Sequence, residues 1–327
     1  MKIALGIISP AEAWVMPRHF VDRLRDEFPQ HDFAEAWDRE ALRRVLQEAD
    51  AAFAAVVDRD LVPSLTRLRW IQAPAAGVGH LLSAELIASP IVLTSARGVR
   101  ARAMAEHVLA VTIALARQLP LAIRRQAEHV WALDEIERSG GVRTLAGKWM
   151  GIVGLGAVGC EVARLAAAFG LRVAGVRKHA DRPPPEGVDE VCGAGQLFHV
   201  LRKSDVVVLA APLTAETEQF VNRAALDEIK RGALLVNVGR GRLVDDGAVV
   251  AALSDGRLGG AALDVFTKEP LAPDSPYWDL PNVIVTPHSS GTMEDYWTPL
   301  VGLFAENLRR FESGRPLLNV VDKTAGY

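Results

Sequence analysis

At 327 residues the chain is too long for one small domain and has ample sequence for two medium-sized cores. Half of its residues are hydrophobic and 24% are charged, and the net charge is only −3, so nothing global draws it to nucleic acid or to an anionic membrane. Two cysteines exclude a disulfide framework and a cysteine-rich metal centre, and the eight histidines show no metal-ligand spacing, so no metal is expected.

The opening "MKIALGIISP" has an apolar run closed by Pro10 and no small-x-small cleavage pattern, so it reads as a first buried strand. Further apolar bursts follow at 51–57, 70–73 and 91–94. A long helical stretch, 101–139, is broken near Pro120; its most apolar part, 103–116, holds Glu106 and His107 and is too short to span a bilayer. A second series of bursts occupies 150–154, 172–176, 206–210, 233–238, 260–265 and 283–286, with helical patterns between at 161–169, 223–230 and 246–255 and a last one at 293–313. Most bursts are continuous rather than alternating, as in parallel strands buried on both faces. The alternation with helices predicts two doubly wound parallel α/β sheets. A cytoplasmic protein is expected, with no membrane or nucleic-acid partner.

"GIVGLGAVG" sets Gly154, Gly156 and Gly159 directly after a predicted strand and before a predicted helix. In that setting the first glycine permits a tight turn and the second lets the backbone approach a pyrophosphate. The third allows close helix–strand packing, so a dinucleotide site is expected. The next strand, in "GLRVAGVRKH", ends on Arg177 and Lys178, where NAD-binding units carry an acid for the ribose hydroxyls. An acid would repel a 2′-phosphate and Arg177 would pair with it, so NADP(H) is favoured over NAD(H), with Lys178 assisting and His179 or Arg182 within the same segment.

Three more predicted strand ends carry chemistry. "LLVNVGRGRLVDDGAV" places Arg240 just past a strand, "GGAALDVFTKEPL" places Asp264 at a strand end with Glu269 five residues on, and "NVIVTPHSSG" places His288 after another. Any one of these has a bland reading as a surface charge or turn residue. Together they supply what reduction of a 2-oxo acid needs: a cation for the carboxylate and carbonyl, a proton donor, and a carboxylate to orient it.

At these residues the chain resembles the D-isomer-specific 2-hydroxyacid dehydrogenases, most of all NADP-preferring reductases of glyoxylate and hydroxypyruvate. "AMAEHVLAVTIALAR", "LAGKWMGIVGLGAVG", "APLTAETEQFVN", "VNVGRGRLVDDGAV" and "VIVTPHSSG" occur in that family's order and spacing. The resemblance implies that Arg240 binds the substrate, that His288 is the acid–base residue and that Glu269 is its partner. It implies cofactor contacts from Ala157, Val158, Ala211, Pro212, Val238, Gly239 and Ser290, with Asp264 on the nicotinamide amide. "APAAGVGHL" matches the substrate loop, so Ala75, Ala76 and Gly77 are expected to meet the substrate carboxylate; Gly79 stands where members often carry Asp. The implied architecture is a Rossmann cofactor domain, 99–290, inserted in a flavodoxin-like substrate domain, 1–98 and 291–327, with a homodimer formed through the cofactor domain.

A nucleotide-sensing corepressor of the same fold is the alternative from another class, and an amino-acid or formate dehydrogenase is the alternative among enzymes. Trp14, Met16, Arg97, Arg100, Tyr296 and Trp297 lie in segments that could reach a substrate, although packing or ordinary surface explains each as well.

Overall fold

The computed structural model describes residues 1–6 and 15–326. Two compact units emerge, Met1–Val99 with Met293–Tyr327 and Arg100–Thr292.

The first unit opens with β1 (Lys2–Gly6), α1 (Arg18–Glu27), β2 (Asp32–Glu35), α2 (Arg39–Glu48), β3 (Ala51–Ala54), β4 (Trp70–Gln72), α3 (Ala84–Ala88) and β5 (Val92–Thr94). Its sheet is parallel throughout, in the order β2-β1-β3-β4-β5, which is the flavodoxin-like order.

The second unit begins with α4 (Ala101–Ala116), α5 (Leu119–Ala127) and α6 (Leu133–Arg138), so the predicted long helical stretch is three helices. Gln118 takes a left-handed φ of 57° and Pro120 falls in the first turn of α5, where its missing N–H is harmless. There follow β6 (Trp149–Val153), α7 (Ala157–Ala168), β7 (Arg172–Val176), β8 (Glu190–Cys192), α8 (Leu197–Lys203), β9 (Val206–Leu209), α9 (Arg223–Glu228), β10 (Ala233–Asn237), α10 (Asp246–Ser254), β11 (Leu258–Leu263) and β12 (Val283–Val285). The seven strands lie in the order β12-β11-β10-β9-β6-β7-β8, a Rossmann arrangement with one added strand. The chain then returns to the first unit as α11 (Trp297–Glu312).

The strands are continuous apolar runs because helices cover both faces of each sheet. In the second unit one face buries Val207, Leu235 and Leu263 with residues of α8 to α10, and the other buries Ile152, Val208 and Val236 with residues of α4 and α7. In the first unit Phe304 of α11 stacks on Phe53 and Trp70 at centroid distances of 4.9 and 5.4 Å. Each such fully buried side chain contributes about 1.5–3 kcal/mol. Met16 and Trp297 belong to this same core, so both are packing residues. Trp14 lies outside the described residues.

Two strands escape a search for apolar runs. β2, DFAE, and β8, EVC, are the edge strands of their sheets, half-covered and carrying acids, as edges generally do. Among the described residues no single helix is long and apolar enough to cross a membrane.

Candidate active site

The strand ends of the second unit stand in one row. Val176 pairs with Val153, Val153 with Leu209, Leu209 with Asn237, Asn237 with Leu263, and Leu263 with Val285. The residues that follow these positions therefore line the carboxyl edge of the sheet, where doubly wound folds bind their ligands. Gly154, Arg177, Ala211, Val238, Arg240, Asp264 and His288 all belong to this edge.

The glycine turn divides its labour as its chemistry requires. Gly154 has φ +104°, and a Cβ there would lie 2.6 Å from the Ala211 nitrogen. A Cβ at Gly159 would lie 2.1 Å from the Gly154 oxygen, so this glycine lets α7 seat against β6. Around Gly156, by contrast, a Cβ would meet nothing within 4 Å. Gly156 is the N-cap of α7 and lends no side-chain cap, so the first-turn N–H groups of α7 lack a capping side chain beside this open space. Such a cradle fits a pyrophosphate held on a helix N-terminus. Beside it, Ala211 is buried and Pro212 exposed, and a Cβ at Gly239 would come within 3.0 Å of the Ala211 oxygen, so these backbones pack closely.

Arg177 follows β7, its N–H donating to the Cys192 carbonyl at 3.0 Å. Its Nη2 donates to the Arg182 carbonyl and, at 2.9 Å, to that of Pro183, while its buried Nε has no partner. Lys178 and His179 are exposed next to it. No acid occupies this strand end, and an orphaned guanidinium N–H does.

Arg240 is carried on a braced turn. The fully buried Asn237 side chain accepts from Gly239 N at 3.1 Å and donates to the Arg240 carbonyl at 3.0 Å. A Cβ at Gly241 would fall 1.8 Å from the Phe266 carbonyl carbon, so this turn lies against the segment leading to Glu269. The Glu269 carboxylate accepts from Phe266 N at 3.0 Å with one oxygen and meets His288 Nδ1 at 2.7 Å with the other. Because the carboxylate only accepts, Nδ1 carries the hydrogen and Nε2 is left for other partners. Arg240, Glu269 and His288 are thus borne by neighbouring loops of one sheet edge, and the last two are in direct contact.

His288 itself is held at φ 53°, a left-handed conformation uncommon for a residue with a side chain. Asp264 is what holds it. The Asp264 carbonyl accepts from His288 N at 2.9 Å, and its carboxylate accepts from Thr286 Oγ1 at 2.6 Å, Ser289 N at 2.8 Å and Ser290 N at 3.0 Å. Burial pushes this carboxyl group up, but the donors from Ser290, Thr286 and Ser289 outweigh it and keep it below its usual range. The resemblance implies a nicotinamide contact for Asp264; in the structure both its oxygens are already engaged beneath the His288 loop, with the buried Ser290 among their donors.

Asn237, Thr286 and His107 are residues that sequence reasoning passed over. His107 Nε2 lies 3.4 Å from Thr286 Oγ1, and burial pushes its pKa below the ordinary value, with the Asp264 charge opposing. A polar residue ending an otherwise apolar strand was the one available signal for Asn237.

In the first unit, the loop after β4 is pinned by its carbonyls. Tyr296 Oη donates to the Pro74 carbonyl and Ala96 N donates to that of Ala75 at 3.0 Å. Ala76 and Gly77 are exposed at its tip, and a side chain at Gly79 would enter open space. Arg97 is exposed as well.

Residues 109–290 match the family model described as "D-isomer specific 2-hydroxyacid dehydrogenase, NAD binding domain". The chain belongs to that family. This dehydrogenase is 33% identical to a glyoxylate reductase of Aeropyrum pernix, over 94% of its own length and 96% of the relative's. Among solved structures it resembles a D-isomer specific 2-hydroxyacid dehydrogenase of Xanthobacter autotrophicus in complex with NADPH and MES, with a TM-score of 0.83, 31% identity and 99% of each chain covered. It also resembles an NADPH-dependent glyoxylate/hydroxypyruvate reductase of Sinorhizobium meliloti in complex with NADP and sulfate, with a TM-score of 0.82, 30% identity and both chains wholly covered. The dehydrogenase is therefore an NAD(P)-dependent oxidoreductase of 2-hydroxy and 2-oxo acids; no corepressor is among these relatives.

Proposed function

We propose that this dehydrogenase reduces a small 2-oxo acid of the glyoxylate or hydroxypyruvate kind to the D-2-hydroxy acid, using NADPH in preference to NADH. The observation that carries the reading is the Glu269–His288 contact of 2.7 Å at the same sheet edge as Arg240 and the glycine turn. When bound, the nicotinamide supplies a hydride to the carbonyl carbon. Arg240 binds the substrate carboxylate and polarises its carbonyl. Glu269 keeps the ring oriented through Nδ1–H, so that His288 in its imidazolium form gives the Nε2 proton to the carbonyl oxygen as charge develops there and is left as the neutral Nδ1–H ring. Asp264 and Ser290 hold the His288 loop in register, and the backbone of half-buried Ala75 and exposed Ala76 and Gly77 offers N–H groups to an anionic substrate.

The cofactor is held by Gly154, Gly156, Ala157, Val158 and Gly159 at its pyrophosphate, with Ala211, Pro212, Val238 and Gly239 along its length. Arg177, through its unpartnered Nε, and Lys178 are the readers of the 2′-phosphate. This reading makes residues 99–290 the cofactor domain and 1–98 with 291–327 the substrate domain. A homodimer through the cofactor domain is favoured by α5 and α6, where Trp131 is 91% exposed beside the exposed Ile123, Val130 and Leu133. The two cysteines are free thiols, which suits work in the cytoplasm.

Initial rates of NADPH and NADH oxidation against glyoxylate, hydroxypyruvate, pyruvate, phenylpyruvate and 2-oxoisocaproate test the proposal. NADPH-linked turnover of one of the first two is expected, and His288→Gln should abolish it while cofactor still binds. Full activity in that variant would remove His288 from the mechanism.

A further inference from the structure

Away from the carboxyl-edge site, the edge strand β8 carries a second group of chemically capable side chains. Glu190 and Cys192 are two residues apart on the strand and so share a face. His199 reaches them from α8. Glu190 Oε1 is the meeting point: His199 Nε2 lies 2.7 Å from it and Cys192 Sγ 3.4 Å. One donor atom from each of the three residues lies within 4.8 Å of the others. The other carboxylate oxygen, Oε2, is held by Lys203 Nζ, which also sits over the Trp149 ring. The thiol is buried and the imidazole half-exposed, so the cluster opens to solvent on the histidine side.

We propose that Glu190, Cys192 and His199 bind a thiophilic divalent cation of the zinc type, with water completing the shell. Sulfur, imidazole and one carboxylate oxygen form a borderline-soft donor set, and three protein ligands with an open position is a common zinc arrangement. Tetrahedral zinc with ordinary bond lengths sets its ligand atoms about 3.3–3.6 Å apart. The sulfur–oxygen pair already stands at that separation, and the imidazole must retreat by roughly half an ångström. On binding, the Cys192 thiol releases its proton to solvent and a sulfur–metal bond forms; the hydrogen that His199 Nε2 shares with Glu190 also leaves Nε2, the neutral ring keeping one on Nδ1, and that hydrogen bond gives way to two coordinate bonds.

The donor set decides the selectivity, and Lys203 limits it to one carboxylate oxygen. The lysine orients the carboxylate so that only Oε1 faces the ion, and its charge repels any cation. Magnesium and calcium need several oxygen ligands and find one, whereas zinc and cobalt gain the thiolate and the imidazole. The bound ion would tie β8 to α8 and clamp the strand whose Cys192 carbonyl takes the Arg177 N–H.

Cobalt(II) titration of tag-free, metal-free protein tests the site without reference to turnover. The expected result is a near-ultraviolet thiolate-to-cobalt charge-transfer band with visible bands of tetrahedral cobalt, lost on adding zinc and unaffected by excess magnesium. His199→Gln, a change at a half-exposed position, should weaken cobalt binding by roughly tenfold or more. Cys192→Ser should remove the charge-transfer band, Cys160→Ser should leave it, and Lys203→Met should tighten binding. A titration that yields no such band overturns the proposal. So does a band that survives in Cys192→Ser, or an affinity that His199→Gln leaves unchanged.

Discussion

Arg177 is asked for two things by its position. Its Nη2 shapes the loop through the carbonyls of Arg182 and Pro183, and its Nε remains for a ligand. If that N–H takes a phosphate, replacing the guanidinium with an acid should weaken NADPH binding by roughly ten- to a hundredfold, the equivalent of one charged hydrogen bond. Arg177→Asp is therefore expected to raise the KM for NADPH and leave that for NADH nearly unchanged. Parallel losses with both cofactors would mean that Arg177 only shapes the loop. His107 gives the pH dependence at this scale. Burial depresses its pKa from 6.5, so the neutral form is the one the fold accepts. As pH falls below 6.5 the unfolded chain binds a proton that the folded chain resists, and stability declines until the depressed value is reached. Denaturant midpoints at about pH 7.5 and about pH 5.5 should therefore differ less in His107→Gln than in the parent.

The β6–α7 turn joins residue chemistry to element packing, and its glycines should separate under substitution. Gly159→Ala drives a methyl group into the Gly154 carbonyl and should destabilise the protein by about 1–3 kcal/mol. Gly156→Ala meets no protein atom, so folding should be kept while cofactor affinity falls, because the methyl occupies the pyrophosphate's space. Urea unfolding and NADPH fluorescence titration distinguish the two. This turn was legible because its geometry is local: strand, glycines and helix follow one another in the chain. β2 and β8 were not, because an edge strand buries only part of its surface and can be short and charged. In the 101–139 stretch the break near Pro120 was legible because proline marks a helix boundary, whereas the second break, between α5 and α6, carries neither proline nor glycine.

At the scale of the whole molecule, the homodimer proposed above would cover the exposed apolar residues of α5, α6 and the turn between them. Trp131→Glu should shift the protein to monomer in sedimentation velocity and spare the fold; an unchanged dimer would move the interface elsewhere. What the sequence determined by itself was the class of fold and the family, because buried parallel strands and motif-bearing turns are written in contiguous residues; the glycine turn, Arg240, Glu269 and His288 are the candidates it supplied. Only the tertiary structure decided which strand ends stand side by side, and so that Glu269 and His288 touch while Asp264 braces the His288 loop. It alone also gathered Glu190, Cys192 and His199, whose spacing has no recognisable pattern, into one cluster where no metal ligands were expected. The physical reason is common to both cases: hydrogen bonds and ligand sets join residues across strands, and strand order is settled by packing of the whole sheet rather than by any local stretch of chain.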